Sequence, residues 1–226
     1  MEIFIGTSGW SYDWNEGNSL EWYINNSNLN AIELNMSFYR FPYPNMVKSW
    51  AKKGKDLIWI VKIHRSITHH KKLSKGSYDI FKRFKNIFKP LEDKIHYYLL
   101  QLPPHYKNIE ALDLFLKKCN CEKICVEFRD ESLFNDEIIK WGKKHDVLVA
   151  SIDAPEMPRQ IMSKKIIYER IHGRTGWYSH DYSRDELLEI KNRIYRKNPE
   201  KVYIFFNNDH MFENAKAMNS ILRQNI

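Results

Sequence analysis

The sequence predicts a (β/α)8 barrel of the TIM-like type, parallel and eight-stranded. Three observations lead there. Short apolar runs recur along the 226 residues. The segments between them carry the three-to-four-residue spacing of amphipathic helices. Most of the runs are apolar on successive residues rather than alternate ones, as in a parallel strand buried on both faces.

Strands are read at Ile3–Gly6, Ala31–Leu34, Leu57–Lys62, Tyr97–Gln101, Ile124–Phe128, Leu148–Ser151, Ile167–Ile171 and Val202–Phe206. Helical spacing joins Phe81, Phe84, Phe88 and Leu91, then Ile109, Leu112, Leu116 and Cys119, then Met211, Ala215, Met218 and Leu222. Ser183-Arg-Asp-Glu186 has the form of a capping box, so a helix starts there. Pro90 ends or bends the helix before the fourth strand. Pro155 and Pro158 leave little room for a helix between the sixth and seventh strands, so the barrel is expected to be lean, with a short or irregular connection there. No linker or low-complexity stretch divides residues 1–226, which read as a single domain. The alternative is an open doubly wound sheet. Against it, Gly6-Thr-Ser-Gly9 after the first strand lacks the G-x-G-x-x-G spacing of a dinucleotide loop.

Composition narrows the class. Hydrophobic residues make up 43% and charged residues 28%, as in ordinary globular chains. No apolar run approaches the roughly 18 residues of a membrane span. The first strand begins at Ile3, leaving no space for a signal peptide. A cytoplasmic chain without a membrane partner is expected. Cys119, Cys121 and Cys125 are too few and too clustered for a disulfide framework. They also fall short of a closed four-ligand zinc site and read as small buried residues. Lys and Arg total 36 against 28 acids, a net charge of +8, which favours an anionic small molecule or nucleic acid as partner. The densest basic stretch, Lys71, Lys72 and Lys75, follows His69 and His70, both read as solvated loop residues.

Two loops share one form. Gly6-Thr-Ser-Gly-Trp-Ser-Tyr12 and Gly173-Arg-Thr-Gly-Trp-Tyr-Ser179 each place a Trp directly after two glycines three apart. Such glycines let a backbone approach a ligand closely, and the aromatic offers a stacking surface. The loops follow the first and seventh strands, so they are expected to face each other across part of the barrel mouth. The site of this fold lies at the C-terminal strand ends. There the sequence places Glu33, Lys62, Gln101, Glu127 with Arg129, Asp153, Arg170 with His172, and Asn207 with Asp209. Burying such groups is costly unless they are paired or bind something.

Several segments in order over essentially the whole chain resemble the YecE-like family, domain of unknown function family 72. They include Ile5-Gly-Thr-Ser-Gly-Trp-Ser-Tyr12, Glu33-Leu-Asn-Met-Ser-Phe-Tyr-Arg40, Val61-Lys62, Ile67-Thr-His69, Gln101-Leu-Pro-Pro104, Val126-Glu-Phe-Arg129, Arg170-Ile-His-Gly-Arg174, Gly176-Trp-Tyr178 and Phe206-Asn-Asn-Asp209. The resemblance implies a TIM-like barrel and no settled activity. By analogy of fold it points toward metal-dependent endonuclease-like barrels.

The leading functional reading is a metal-assisted phosphoester hydrolase, with nucleic acid among its possible substrates. Glu33, Glu127, Asp153, His172 and Asp209 are its catalytic residues and the candidate ligands of Mg²⁺, Mn²⁺ or Zn²⁺. Lys62, Arg129, Arg170 and Arg174 would hold phosphate oxygens. Trp10, Tyr39 and Trp177 would stack a base or sugar, with Gln101 and Asn207 as hydrogen-bonding groups. An alternative is metal-free acid/base chemistry on an anionic small molecule, in which a buried Lys62 of lowered pKa acts as base or Schiff-base former. A further alternative is a non-catalytic nucleotide or nucleic-acid binder, built on the basic Lys62–Lys75 segment. Glu127 and Arg129 alternate on one strand, and for these two the alternative is a structural ion pair.

Overall fold

The computed structural model describes residues 1–223. Its strands are β1 (Glu2–Thr7), β2 (Ala31–Leu34), β3 (Ile58–Lys62), β4 (Ile95–Gln101), β5 (Ile124–Glu127), β6 (Leu148–Val149), β7 (Ser151–Asp153), β8 (Ile166–Ile171) and β9 (Lys201–Phe206). The helices are α1 (Leu20–Asn26), α2 (Met36–Tyr39), α3 (Pro44–Lys53), α4 (Ser77–Ile87), α5 (Ile109–Cys119), α6 (Asp136–Lys144), α7 (Arg184–Tyr195) and α8 (Met211–Arg223).

All the strand pairings are parallel, and they form two sheets ordered β1-β9-β8-β7 and β2-β3-β4-β5-β6. This corrects the closed eight-stranded barrel expected from the sequence: the ladder is broken at two seams. The first lies inside one apolar run. The expected strand Leu148–Ser151 divides at Ala150, so that β6 pairs with β5 while β7 pairs with β8. The second lies between β1 and β2, where side chains stand in for backbone pairing. Asn30 accepts from the Ile5 amide at 2.9 Å and donates to the Ile3 carbonyl at 2.8 Å. The Tyr23 hydroxyl donates to the Ala31 carbonyl at 2.8 Å and accepts from the Thr7 amide at 3.4 Å. The chains approach closely here. A Cβ on Gly6 would stand 2.2 Å from the Ala31 carbonyl oxygen, so only glycine fits.

Alternation along each strand sorts the side chains. One face of the sheets packs against the helices, with Val61, Leu100, Val126, Ile167 and Val202 among the buried residues of that larger core. The other face forms a small enclosed core of Ala31, Ile60, Leu99, Cys125, Tyr168, Tyr203 and Phe205. Two residues further along the strands, the same period carries Glu33, Lys62, Gln101, Glu127, Arg170 and Asn207. The strand ends thus lift a ring of polar groups above an apolar floor.

Local signals hold where chemistry is local. Ser183 and Glu186 form the capping box at the start of α7. Asn108 caps α5 by accepting from the Ala111 amide at 2.9 Å. Pro90 sits in the first turn of a 3-10 helix, Lys89–Lys94, that takes over where α4 stops. No helix forms between β7 and β8, where Pro155 and Pro158 stand. Among the described residues no helix is long and apolar enough to cross a membrane.

If the Asn30 side chain closes the β1–β2 seam, Asn30→Ala leaves an amide and a carbonyl unpartnered in a half-buried place. A loss of about 1–3 kcal/mol is expected in urea unfolding. A change within experimental error would show that the seam does not depend on Asn30.

Candidate active site at the strand ends

Arg170 organises the polar ring. It is completely buried on the inner face of β8, in step with Tyr168 and His172. Its Nε and Nη2 donate to the two oxygens of Glu33 at 2.9 and 2.5 Å, a bidentate pairing. Its Nη1 donates to Glu127 Oε2 at 2.5 Å. Tyr168 adds a hydrogen bond to Glu33 Oε2 at 2.5 Å, and Ser8 adds one to Oε1 at 3.1 Å. The remaining oxygen of Glu127 accepts from Arg129 Nε. Both carboxylates are therefore buried, ionically paired and hydrogen-bonded. Burial raises the Glu127 pKa, but Arg129, Arg170 and Lys62 outweigh it and hold the group at about 2.

Above these pairs lies a layer that faces outward. Arg129 stacks its guanidinium on Trp177 at 4.7 Å and donates through Nη2 to His172 Nε2 at 3.1 Å. A guanidinium can only donate, so Nε2 is the acceptor and the proton of the neutral ring is on Nδ1, directed to the Asn207 backbone and not to the Asn207 side-chain nitrogen 3.2 Å away, which is itself a donor. Burial, then the charges of Arg129, Arg170 and Lys62, push the His172 pKa well below its ordinary value, so the imidazole is neutral. Asn35 reaches Asn207 at 3.5 Å, while its own Oδ1 is buried and unpartnered.

Lys62 ends β3 on the same face. Its ammonium lies 4.4 Å from the centre of the Phe38 ring, and the residue as a whole is 5% exposed. Burial lowers its pKa, with Arg170 and Arg129 adding to the effect and Glu127 and Glu33 opposing it, to about 7. Half-buried His69 stands against Phe38 with ring centroids 5.0 Å apart. Burial and then Lys62 bring its pKa down to about 4. His69 belongs to a single π-helical turn, Ser66–His70, of the kind often found at functional sites. It is not the solvated loop residue expected from the sequence. The one available signal was its place in the Ile67-Thr-His69 segment.

The β8–α7 loop forms one wall. Gly173 has φ +124, and a Cβ there would come within 2.3 Å of the Gly176 carbonyl. Glycine is required for the turn that brings Trp177 over Arg129. Gln101, Arg129, Trp177 and Tyr178 line a cleft of about 830 Å³ beside this wall.

Of the residues singled out in the sequence, Glu33, Lys62, Glu127, Arg129, Arg170, His172, Trp177 and Asn207 thus come together, with Gln101 at the edge. Five others stand elsewhere. Asp153 and Arg174 join a separate cluster in which Asp153 accepts from Arg174, Arg193 and Tyr182. Its members include Glu169, on the opposite face of β8 from Arg170, with a pKa raised by burial to about 7. Asp209 is exposed, and its amide donates to the Tyr178 carbonyl at 2.6 Å. Trp10 turns away into the helix layer, edge-on to Trp50 and Trp59 at 5.5 and 5.9 Å, so it does not face Trp177 across the mouth. Tyr39 is 61% exposed beside Arg65. Ser8, Asn35 and Tyr168 complete the site. Alternation with Glu33 and Arg170 marks the last two.

The donor set does not fit a metal ion. Glu33 and Glu127 are engaged by guanidinium groups, His172 directs Nε2 at Arg129, and Asp153 and Asp209 lie elsewhere. Among the described residues no three His, Cys, Asp or Glu side chains are grouped to hold one.

The fold and these groups define a parallel α/β protein with a charged pocket at the C-terminal strand ends. The chain belongs to the family described as "Protein of unknown function DUF72", whose profile matches residues 4–226. The crystal structure of a DUF72 family protein from Thermotoga maritima is similar over 99% of this chain and 100% of its own, with a TM-score of 0.87 and 24% identity. One from Enterococcus faecalis is similar over 98% of this chain and 95% of its own, with a TM-score of 0.86 and 18% identity. At these identities the likeness is one of fold. No curated protein matches the chain significantly.

Arg170→Met would leave two carboxylates buried without their shared cation, a loss of at least about 3–5 kcal/mol at pH 7. The sign with pH follows from Glu127. Its folded pKa of about 2 lies below the ordinary 4.5, so the native pairing stabilises above pH 4.5 and the gain is lost as pH falls toward 2. Without Arg170 the burial that raises the Glu127 pKa is less opposed, and the deficit grows as pH rises. Urea unfolding should therefore show a smaller difference from wild type at pH 5 than at pH 8. Adding Glu33→Gln and Glu127→Gln should recover part of the loss. A pH-independent deficit would contradict this.

Proposed function

We propose that the chain is an enzyme that acts on an anionic small molecule by metal-free acid–base chemistry, with Lys62 as the titrating group. The observation that supports this reading best is the surplus of cations in the outer layer. Glu33 and Glu127 are already matched by Arg170 and Arg129, which leaves the buried Lys62 amine without a carboxylate of its own. An anionic group brought to Lys62 and the outward edge of Arg129 would supply the missing charge.

The same arrangement gives Lys62 two working states. Below its pKa of about 7 the ammonium attracts an anion. Above it the neutral amine has a lone pair for proton abstraction or for addition to a carbonyl. The neutral imidazoles of His172 and His69 are suited to relay protons, and the unpartnered Asn35 Oδ1 is an acceptor for a substrate hydroxyl or amide. Trp177 offers an apolar wall. Glu33 and Glu127 do not oppose an anion here, because guanidinium groups cover them; of the acids that line the cleft, Asp130, Glu131 and Glu156, Asp130 is paired with Lys107 at 3.4 Å. Metal-assisted phosphoester hydrolysis is less well supported, since its expected ligands are paired with arginines or dispersed.

Sulfate, which does not titrate near neutrality, tests this by calorimetry in EDTA. Affinity should fall about tenfold between pH 6 and pH 8.5 as Lys62 loses its charge. It should be largely lost in Lys62→Met and in Arg129→Gln. Binding that requires Mn²⁺ or Zn²⁺ would favour the metal-assisted reading. Salt-steep binding of single-stranded DNA with no sulfate site would favour a nucleic-acid binder.

A further inference from the structure

The opposite ends of the strands carry a second cleft, of about 670 Å³, where the two sheets part. Its walls are β6 and the entry to β8. β6 pairs only with β5, through Cys125–Leu148 and Val126–Val149. β8 has β9 along one side from Ile166 onward, but β7 joins its other side only from Glu169. Two strand edges therefore border the cleft without ladder partners among the described residues. Unpaired edges are templates for an added strand, and proteins ordinarily cover or blunt them.

The cleft also has a chemical character. Leu148, Val149, Met162 and Ile166 give it an apolar floor. Its rim carries the exposed lysines Lys140, Lys143, Lys164 and Lys165, against the two carboxylates Glu122 and Asp146. Lys165 is paired with Glu200 at 2.9 Å, and no carboxylate holds the other three lysines among the described residues. None of these groups takes part in the strand-end site.

We propose that this cleft docks an extended, acidic segment of a partner protein, which adds as a short strand along the open edge of β8 that begins at Ile166. Backbone groups at an open edge supply register and affinity, while alternate side chains of the added strand meet the pocket beside it. Here one side of such a strand would meet the apolar floor and the other the lysine rim. Apolar and acidic residues in alternation satisfy both. A purely apolar segment would leave the lysines unmatched, and a basic one would be repelled.

The probe is a fluorescein-labelled Glu-Val-Glu-Val-Glu-Val peptide, followed by anisotropy at low salt. Saturable binding is expected, with new amide-exchange protection at Ile166. A Lys140→Glu/Lys143→Glu/Lys164→Glu variant changes only exposed residues and should retain its thermal unfolding while losing at least about tenfold in affinity. The same peptide methylated at alternate backbone nitrogens should not bind, because it cannot complete a ladder. Equal binding of the methylated peptide, or of Lys-Val-Lys-Val-Lys-Val, would overturn the proposal. So would protection elsewhere on the chain, or no binding at about 1 mM peptide. Displacement of the peptide by dodecanoate at stoichiometric concentration would assign the cleft to a small amphipathic anion. Dimerisation that buries the cleft would assign it to a second copy.

Discussion

A buried guanidinium between two buried carboxylates is the constraint on which this molecule depends. Arg170, Glu33 and Glu127 are each fully inaccessible, and they come from β8, β2 and β5. Isolated, any of them would be prohibitively costly to bury. With Arg129 they make a neutral set of two guanidinium groups and two carboxylates, and Tyr168 and Ser8 take up remaining hydrogen-bonding capacity. The β8 and β2 strands belong to different sheets, so the Arg170–Glu33 pair also ties the two sheets together across their polar end. Such a network contributes more to a unique arrangement than to net stability, because hydrophobic replacement of a whole buried ion pair is often neutral.

That neutralisation decides what is left for chemistry. With Glu33 and Glu127 matched, Lys62 and the outer edge of Arg129 are the cationic groups of the polar ring left for a ligand, beside a cleft whose lining also carries Lys107, Asp130, Glu131 and Glu156. The field of the two arginines, added to burial, keeps His172 neutral and brings Lys62 close to neutrality. The electrostatics of the working layer are therefore set by pairs that no ligand touches. The satellite cluster of Asp153, Arg174, Arg193 and Glu169 serves the packing of the β8–α7 connection instead.

Much of this was legible in the sequence, for local reasons. Apolar runs place the strands to within a few residues, and the Ser183–Glu186 spacing marks the start of α7. Two-residue alternation on β8 puts Tyr168, Arg170 and His172 on one face, and most of the strand-end residues singled out do converge. Other features are decided by partners distant in sequence. Arg170 finds Glu33 from 137 positions away, and nothing local distinguishes that pairing from a ligand contact. Asp153 and Arg174 also end or follow strands, but Arg193 and Tyr182 draw them to another cluster. Trp10 follows a Gly-rich turn as Trp177 does, yet Trp50 and Trp59 pull it into the helix layer. The open seams leave no mark in the sequence pattern, because apolar periodicity reports burial rather than ladder continuity. Asn30 replaces backbone pairing with a side chain, and Ala150 hands one run of chain to two sheets.

Among the described residues Lys62 is a desolvated amine left unmatched by the carboxylates. Carbon-13 NMR of lysine labelled at Cε follows the titration of each amine directly, with Lys62→Met identifying the resonance. One lysine should titrate near pH 7 and disappear in the variant. A wild-type spectrum in which no lysine titrates near pH 7 would show that Lys62 is an ordinary, charged amine.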